Sequence, residues 1–445
     1  MRKHFRLVLV AALLVLIFFG GRTLKSLNGQ ARLGVGYMTK IICSEVFVAD
    51  RDRDDVLNND FHGIDPLLSK VKIDIDDNDG SVTGNLYGLG KTTAYYRTGL
   101  GCAITPDGRP DSLSLQTSTL PFETVSLNLA LDDNIQTAVE AFFKNATPND
   151  NAATRGVIVL KDGKIVGEGY GTGFDKTTLQ QSWSMAKSVT QALIGIASSQ
   201  GLITVSGTDL FESWAGDERK TISVNHLLHM NSGLHFTEIY NDPKSTVTEM
   251  LFKSSDMGER ALSEPLEHSP GTHWSYSSGT SNILSKLLRE RLEAAGEDYH
   301  SFPARALFHK IGIKSAVFET DADGTFVGSS FLYATARDWA RLGQLYLNDG
   351  VWGNAPVLPK GWVDYARRPA METTPYYGAH WWLNQDQDKL PDMSKDVYYM
   401  GGHDGQYVVV IPSKQAVIVR LGLLRPPASF DTDIYPLIKD IYDAL

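Results

Sequence analysis

"QSWSMAKSVTQ", Gln181 to Gln191, places a serine three residues ahead of a lysine and runs on into apolar sequence that lasts through Ile196. The bare pattern is common, and Ser69 and Lys72 repeat it. Their settings differ. Ser69 and Lys72 lead into "VKIDIDDNDG", whose period-two alternation reads as a strand, where residues three apart face opposite sides. Ser184 and Lys187 stand at the head of a predicted helix that stops near Gly201, where residues three apart share a face. Of the two pairs, only the second can cooperate.

That position favours nucleophilic chemistry. A serine hydroxyl is a poor nucleophile until a base takes its proton, and a lysine one turn on is within reach. The partial positive charge of a helix N-terminus disfavours a nearby ammonium, which makes Lys187 easier to deprotonate. Free N–H groups of the first turn can face a developing oxyanion.

The rest of the chain sets the frame. With 445 residues, 42% hydrophobic and 21% charged, it is long enough for two or three units with large cores. The formal charge of -10 is spread out, with no long basic block, which argues against a nucleic-acid partner. Arg2, Lys3 and Arg6 precede an unbroken apolar run, Leu7 to Phe19, closed by Gly20 and Gly21. This reads as an export signal over residues 1–25, cleaved or kept as a membrane anchor. The run is short against the roughly 20 apolar residues of a full span. Cys43 and Cys102 are the only cysteines and can pair if the chain reaches an oxidising compartment.

Residues 26–131 alternate short apolar and polar stretches and predict a strand-bearing N-terminal extension, with a hairpin at Asp79-Gly80. From Asp132 a helical pattern leads into "RGVIVLKDGKIVGEGYG", two strands turning at Asp162-Gly163. Helical segments follow from Leu202 to Gly350. Strands return in "GQYVVVIP" and "QAVIVRLGLL", around Ser413-Lys414, and a final helix covers Tyr435 to Leu445. Residues 132–445 thus predict one sheet built from distant segments with a helical insertion between them.

Several motifs fall short of a cofactor site. "NLYGLGKT" has Asn85 where a phosphate-binding loop needs its first glycine. "GEGYGTG", Gly167 to Gly173, is not followed by the apolar helix of a dinucleotide site. "DIDDNDG" misplaces the glycine of a calcium loop and reads as a solvated hairpin tip. His226, His229 and His235 lack the glutamate of a zinc-protease helix and read as packing or surface residues. Neither a metal nor an organic cofactor is expected.

Four further stretches follow "SMAKS" in order: "ISVNHLLHMNSGL" (Ile222 to Leu234), "PGTHWSYSSGTSNILSKLL" (Pro270 to Leu288), "SSFLYATARDWARLGQLYLNDG" (Ser329 to Gly350) and "GGHDGQY" (Gly401 to Tyr407). Together they resemble the serine beta-lactamase and penicillin-recognising superfamily, in its class C-like branch with esterases and 6-aminohexanoate-dimer hydrolase. The resemblance implies an α+β, beta-lactamase-like fold: an antiparallel sheet flanked by helices, an all-α subdomain, and a site in the cleft between them. It implies Ser184 as the acylated nucleophile, Lys187 as its proton acceptor, and Tyr276 as the second-motif tyrosine that moves a proton to the leaving group. His403 to Gly405 match the third motif, and Gln406 would give the second oxyanion N–H. Tyr240 falls where the dimer hydrolase has a substrate-contacting tyrosine.

Two departures bear on the substrate. Ser278 replaces the asparagine of the second motif, and His403 replaces the lysine that holds a substrate carboxylate. An imidazole is mostly neutral near pH 7, so selection for an anionic beta-lactam weakens. The expectation is an exported serine hydrolase, periplasmic or anchored in the inner membrane, acting on a small ester, amide or peptide-like substrate. A beta-lactamase or D-alanyl-D-alanine carboxypeptidase is the alternative, and a non-catalytic cell-envelope binding protein is the alternative of another class. "ATARDWARLGQLYL" predicts a packing helix with Arg337 and Asp338 paired at its start. "YYGAHWW", Tyr376 to Trp382, either lines the cleft or forms a buried aromatic cluster.

Overall fold

The computed structural model describes residues 27–105, 127–144, 150–240, 242 and 244–445. The expected signal or anchor over 1–25 lies outside these residues. The elements, in chain order, begin with helix α1 (27–47), helix α2 (Arg53–Asn59) and strands β1 (Val71–Asp76), β2 (Ser81–Leu86), β3 (Leu89–Arg97) and β4 (Gly101–Ile104). Strand β5 (Asn128–Leu129), helix α3 (Asp133–Ala141) and strands β6 (Thr154–Lys161), β7 (Lys164–Tyr170) and β8 (Gln180–Gln181) follow. Next come helices α4 (Ala186–Ser199), α5 (Val224–Leu228), α6 (Thr246–Lys253), α7 (Met257–Leu262) and α8 (Ser278–Ala294), then strands β9 (Val317–Phe318) and β10 (Leu332–Ala334). The chain closes with α9 (Ala336–Leu347), β11 (Val351–Trp352), β12 (Ala355–Pro356), α10 (Trp362–Ala366), β13 (Trp382–Leu383), β14 (Tyr398–Gly402), β15 (Gln406–Ile411), β16 (Ala416–Gly422) and α11 (Tyr435–Ala444).

The seven-stranded sheet has the order β13-β14-β15-β16-β6-β7-β5, so the C-terminal strands close against the β6–β7 hairpin. All pairings are antiparallel except that of β5 with β7. Period-two side chains decide what covers each face. Val157 and Val159 of β6 pack with Ile135 and Val139 of α3 and Ile438 and Ile441 of α11. Their neighbours Ile158 and Leu160 belong to the opposite core, with Leu342 and Leu345 of α9. Both faces are therefore dry, which is why β6 reads as an apolar run from Val157 to Leu160 and β16 as one from Ala416 to Val419. The predicted turns at Asp162-Gly163 and Ser413-Lys414, and the terminal helix, stand where the sequence placed them.

The N-terminal stretch departs from expectation. The hairpin at Asp77 to Gly80 forms, within a four-stranded sheet β1-β2-β3-β4. Ahead of it, however, residues 27–47 are a helix, an element that the reading of this stretch as strand-bearing did not include. Gly34 and Gly36 lower its intrinsic helix propensity, yet a Cβ at Gly36 would come within 2.3 Å of the Phe252 carbonyl, so the close approach needs glycine. Cys43 of this helix is joined to Cys102 of β4. Lys40 is 1% exposed, and its ammonium meets Glu319 at 2.6 Å. Glu319 also accepts from the Ser44 hydroxyl and the Cys102 N–H. A second buried cluster holds Arg51 against Glu45 and Asp60, and Asp60 against Arg155 of β6.

Two further expectations change or sharpen. Arg337 pairs with Glu168 of β7, while Asp338 pairs with Arg341 and accepts from Ser315, so Arg337 and Asp338 do not pair with each other. Adjacent helix residues point in different directions, and each found its partner elsewhere. The three histidines are separately engaged: His226 completes a capping box with Ser223, His229 contacts the Asn225 carbonyl, and His235 meets Glu267.

Candidate active site

Helix α4 is buried on nearly every side, from Ala186 through Ala197. Its polar residues Lys187, Ser188, Thr190 and Gln191 are inside as well, and just ahead of it stands one partly exposed residue, Ser184, between the buried Trp183 and Met185. The Ser182 N–H donates to the Leu332 carbonyl of β10, fixing the strand that feeds the helix. Trp183 is held at φ +46, in the left-handed region that bulky side chains rarely adopt. A Cβ on Gly402, at the end of β14, would lie 2.3 Å from the Ser182 carbonyl. Glycine there lets the third-motif strand come up against the nucleophile segment.

Lys187 is 1% exposed, and its Nζ has three oxygen neighbours: Ser184 Oγ at 3.0 Å, Ser278 Oγ at 2.9 Å and the Ser329 carbonyl at 3.0 Å. Burial pushes the ammonium down to about 8, with the Glu238 carboxylate acting in the opposite direction. The Tyr276 ring lies 4.8 Å from the same nitrogen, and its hydroxyl hydrogen-bonds the Ser184 side chain. Burial, together with the Glu238 charge, holds the Tyr276 phenol above its ordinary value. Tyr276 is also stacked on Trp382 and met edge-on by Tyr377. These contacts settle the "YYGAHWW" stretch, which both lines the tyrosine and forms an aromatic cluster.

The remaining expected residues divide. His403, 41% exposed at its side chain, stacks on Tyr240 at 4.7 Å and meets Trp183 edge-on at 5.2 Å. Tyr240 also meets Trp183 edge-on at 6.0 Å, so these three rings stand together beside Ser184. Gly405 has φ +78, and its carbonyl accepts from Arg420. The Gln406 side chain is turned away into the sheet, bonded to both the N–H and the carbonyl of Gly422. Its backbone lies opposite Gly402 in the β14–β15 pairing. Asp404, between them, is buried against Arg425. Ser278, expected to touch substrate, opens α8 and faces Lys187.

One residue was missed. Glu238 accepts from the Ser278 hydroxyl at 2.6 Å and from the Ser278 N–H at 2.9 Å, with the Tyr240 hydroxyl 3.5 Å away. It stands in a loop, in no recognisable motif, so sequence carried no signal for it. Among the described residues no group of three or more histidine, cysteine, aspartate or glutamate side chains could hold a metal ion.

Residues 131–443 match the family Beta-lactamase. The chain belongs to that family. Within the beta-lactamase family, a curated relative is the 6-aminohexanoate-dimer hydrolase of Paenarthrobacter ureafaciens, 25% identical over 303 residues that cover 62% of this chain and 74% of the relative. A Bacillus anthracis protein solved under the same hydrolase name superposes with a TM-score of 0.59 at 21% identity, over 72% of this chain and 87% of its own. A family VIII carboxylesterase superposes at 0.56 with 14% identity, over 73% of this chain and 100% of its own. The fold is that of the beta-lactamase family, and the chain is a member of its serine-hydrolase superfamily.

Proposed function

We propose that this protein cleaves an ester or amide bond through an acyl-enzyme on Ser184. The observation that carries the reading is the pairing of Ser184 Oγ with the buried Lys187 Nζ at 3.0 Å, with the Tyr276 hydroxyl on the same serine. In the first step Lys187 takes the Ser184 proton as Oγ attacks the carbonyl carbon, and the carbonyl electrons move onto oxygen. Tyr276, hydrogen-bonded to Ser184, is placed to pass a proton to the leaving oxygen or nitrogen. Water then attacks the acyl carbon, giving a proton back to the Tyr276 oxygen, and the acid leaves as the Ser184 oxygen recovers its proton from Lys187. The Ser184 N–H and the Gln406 N–H are the candidate donors to the oxyanion.

His403 and Ser278 support the preference for esters or amides over anionic beta-lactams. His403 is engaged by the Tyr240 ring and stands where the third motif of the resembled branch has a lysine. Export, with the apolar segment cleaved or kept as an anchor, belongs to the same proposal. It is supported by the basic n-region and apolar run of residues 2–19 and by the Cys43–Cys102 disulfide, a bond that persists in oxidising compartments.

A fluorophosphonate probe followed by peptide mass spectrometry tests the reading. The wild-type protein takes the label on Ser184, and Ser184→Ala takes none. Intact protein that stays unlabelled is instead a binding protein with a hydrolase fold. Hydrolysis of a chromogenic cephalosporin far faster than of short acyl esters would favour the beta-lactamase alternative.

A further inference from the structure

We propose that Glu238 is a positioning residue: by capturing the Ser278 proton, it aims the lone pair of neutral Lys187 at the Ser184 hydroxyl. The inference rests on the reading of Ser184 as nucleophile. It concerns a residue that lies in none of the family motifs in this sequence.

Donor and acceptor arithmetic carries it. A neutral lysine amine has two N–H bonds and one lone pair, and Lys187 Nζ has three oxygen neighbours. The Ser329 carbonyl can only accept. A serine hydroxyl can donate or accept, but that of Ser278 has its one proton directed to Glu238 Oε1 at 2.6 Å. Toward Lys187 it therefore only accepts. Both N–H bonds are taken, and the lone pair is left facing Ser184 Oγ. The Ser184 O–H bond can then break toward nitrogen: its proton joins the lone pair, and the oxygen electrons form the bond to the carbonyl carbon.

The carboxylate suits this task because it is acceptor-only and bidentate. Its second oxygen holds the Ser278 N–H at 2.9 Å, which fixes both groups of one residue. A glutamine has one acceptor oxygen and one donor nitrogen, so it cannot hold the two Ser278 donors on separate oxygens as the carboxylate does. The Ser278 hydroxyl would then be free to turn its proton onto Lys187 and occupy the lone pair.

The groups facing Lys187 are few. They are Glu238 from its loop, Tyr276 and Ser278 at the head of α8, Ser184, the Ser329 carbonyl, and His380 farther off. His380 is kept neutral by burial, which pushes it down to about 3, and it is bonded to Leu228 and Ser281. Glu238 is therefore the anion that bears on the lysine.

The test is the pH profile of kcat/KM for a short acyl ester, measured on the full chain for wild type, Glu238→Gln and Glu238→Asp. Glu238→Gln is expected to lower the plateau by about a hundredfold, the scale of a lost general base. It should also move the acidic limb to lower pH, because removing the anion makes Lys187 easier to deprotonate. Glu238→Asp, still acceptor-only, should recover part of the plateau. In a Ser278→Ala background, adding Glu238→Gln should change the plateau by no more than about twofold, since the two act through one contact. An unchanged Glu238→Gln plateau overturns the inference, and so does a fall with the limb unmoved and Glu238→Asp no better. Absence of fluorophosphonate labelling in the wild type overturns the nucleophile reading itself. Labelling of wild type with an unaltered Glu238→Gln profile overturns the role of Glu238 alone.

Discussion

Trp382 lies flat against Tyr276, ring centroids 5.4 Å apart and planes 24° from parallel. The tryptophan comes from β13, at the edge of the large sheet, and the tyrosine from the loop before α8, so the stack ties that loop to the sheet. Removing it leaves Tyr276 held by Tyr377 alone among the aromatic contacts. Trp382→Ala is expected to cut kcat by between tenfold and about a hundredfold, the scale of a misplaced catalytic group. Steady-state kinetics on protein with an unaltered far-UV spectrum checks this, and Trp382→Phe should lose less.

Lys187 must be neutral to accept a proton. Burial sets its value at about 8, so kcat/KM should rise with pH through that point. The same shift acts on stability with a definite sign. Between about 8 and the ordinary value of 10.5 the unfolded chain binds a proton that the folded chain does not, so folding stability increases across that window. Denaturant unfolding of wild type and Lys187→Met at several pH values checks it, since the variant should lose this component of the rise.

The exposure of His403 makes the missing carboxylate anchor restorable. His403→Lys puts an ammonium at the third-motif position. The ratio of kcat/KM for a carboxylate-bearing ester to that for its neutral methyl ester should rise about fivefold, the scale of a solvent-exposed charge pair. An unchanged ratio would place the substrate's acid group elsewhere.

The bond between Cys43 and Cys102 closes a loop with a sequence separation of 59 residues. On chain entropy, its loss costs about 4 kcal/mol of stability. The double variant Cys43→Ser/Cys102→Ser should show that loss in denaturant unfolding, with hydrolysis little changed at low temperature.

The legible parts of the sequence were those with a short-range period or a fixed spacing. The β6–β7 and β15–β16 hairpins showed because β6, β15 and β16 are largely buried on both faces and the turns are polar. Ser184 and Lys187 showed because one helical turn separates them. Helix α1 did not, for two physical reasons. Its second half is buried nearly all round, so no apolar stripe alternates with a polar one, and Lys40 and Glu45 are inside it where a reader expects solvent. Glu238 was hidden for another: its partner Ser278 lies 40 residues on, and only the tertiary fold brings the two to 2.6 Å. Arg337 and Asp338 misled by adjacency, each having a long-range or next-turn partner.

Glu319 receives Lys40, Ser44 and the Cys102 N–H, all from the stretch ahead of residue 131, where the family match begins. A protein shortened to the matched part would keep this anion inside with every one of these donors gone. The border of the family match near residue 131 thus cuts through a buried polar cluster that the stretch from α1 to β4 shares with Glu319. Comparative work that trims sequences to the shared part would leave Glu319 without the partners that satisfy it here.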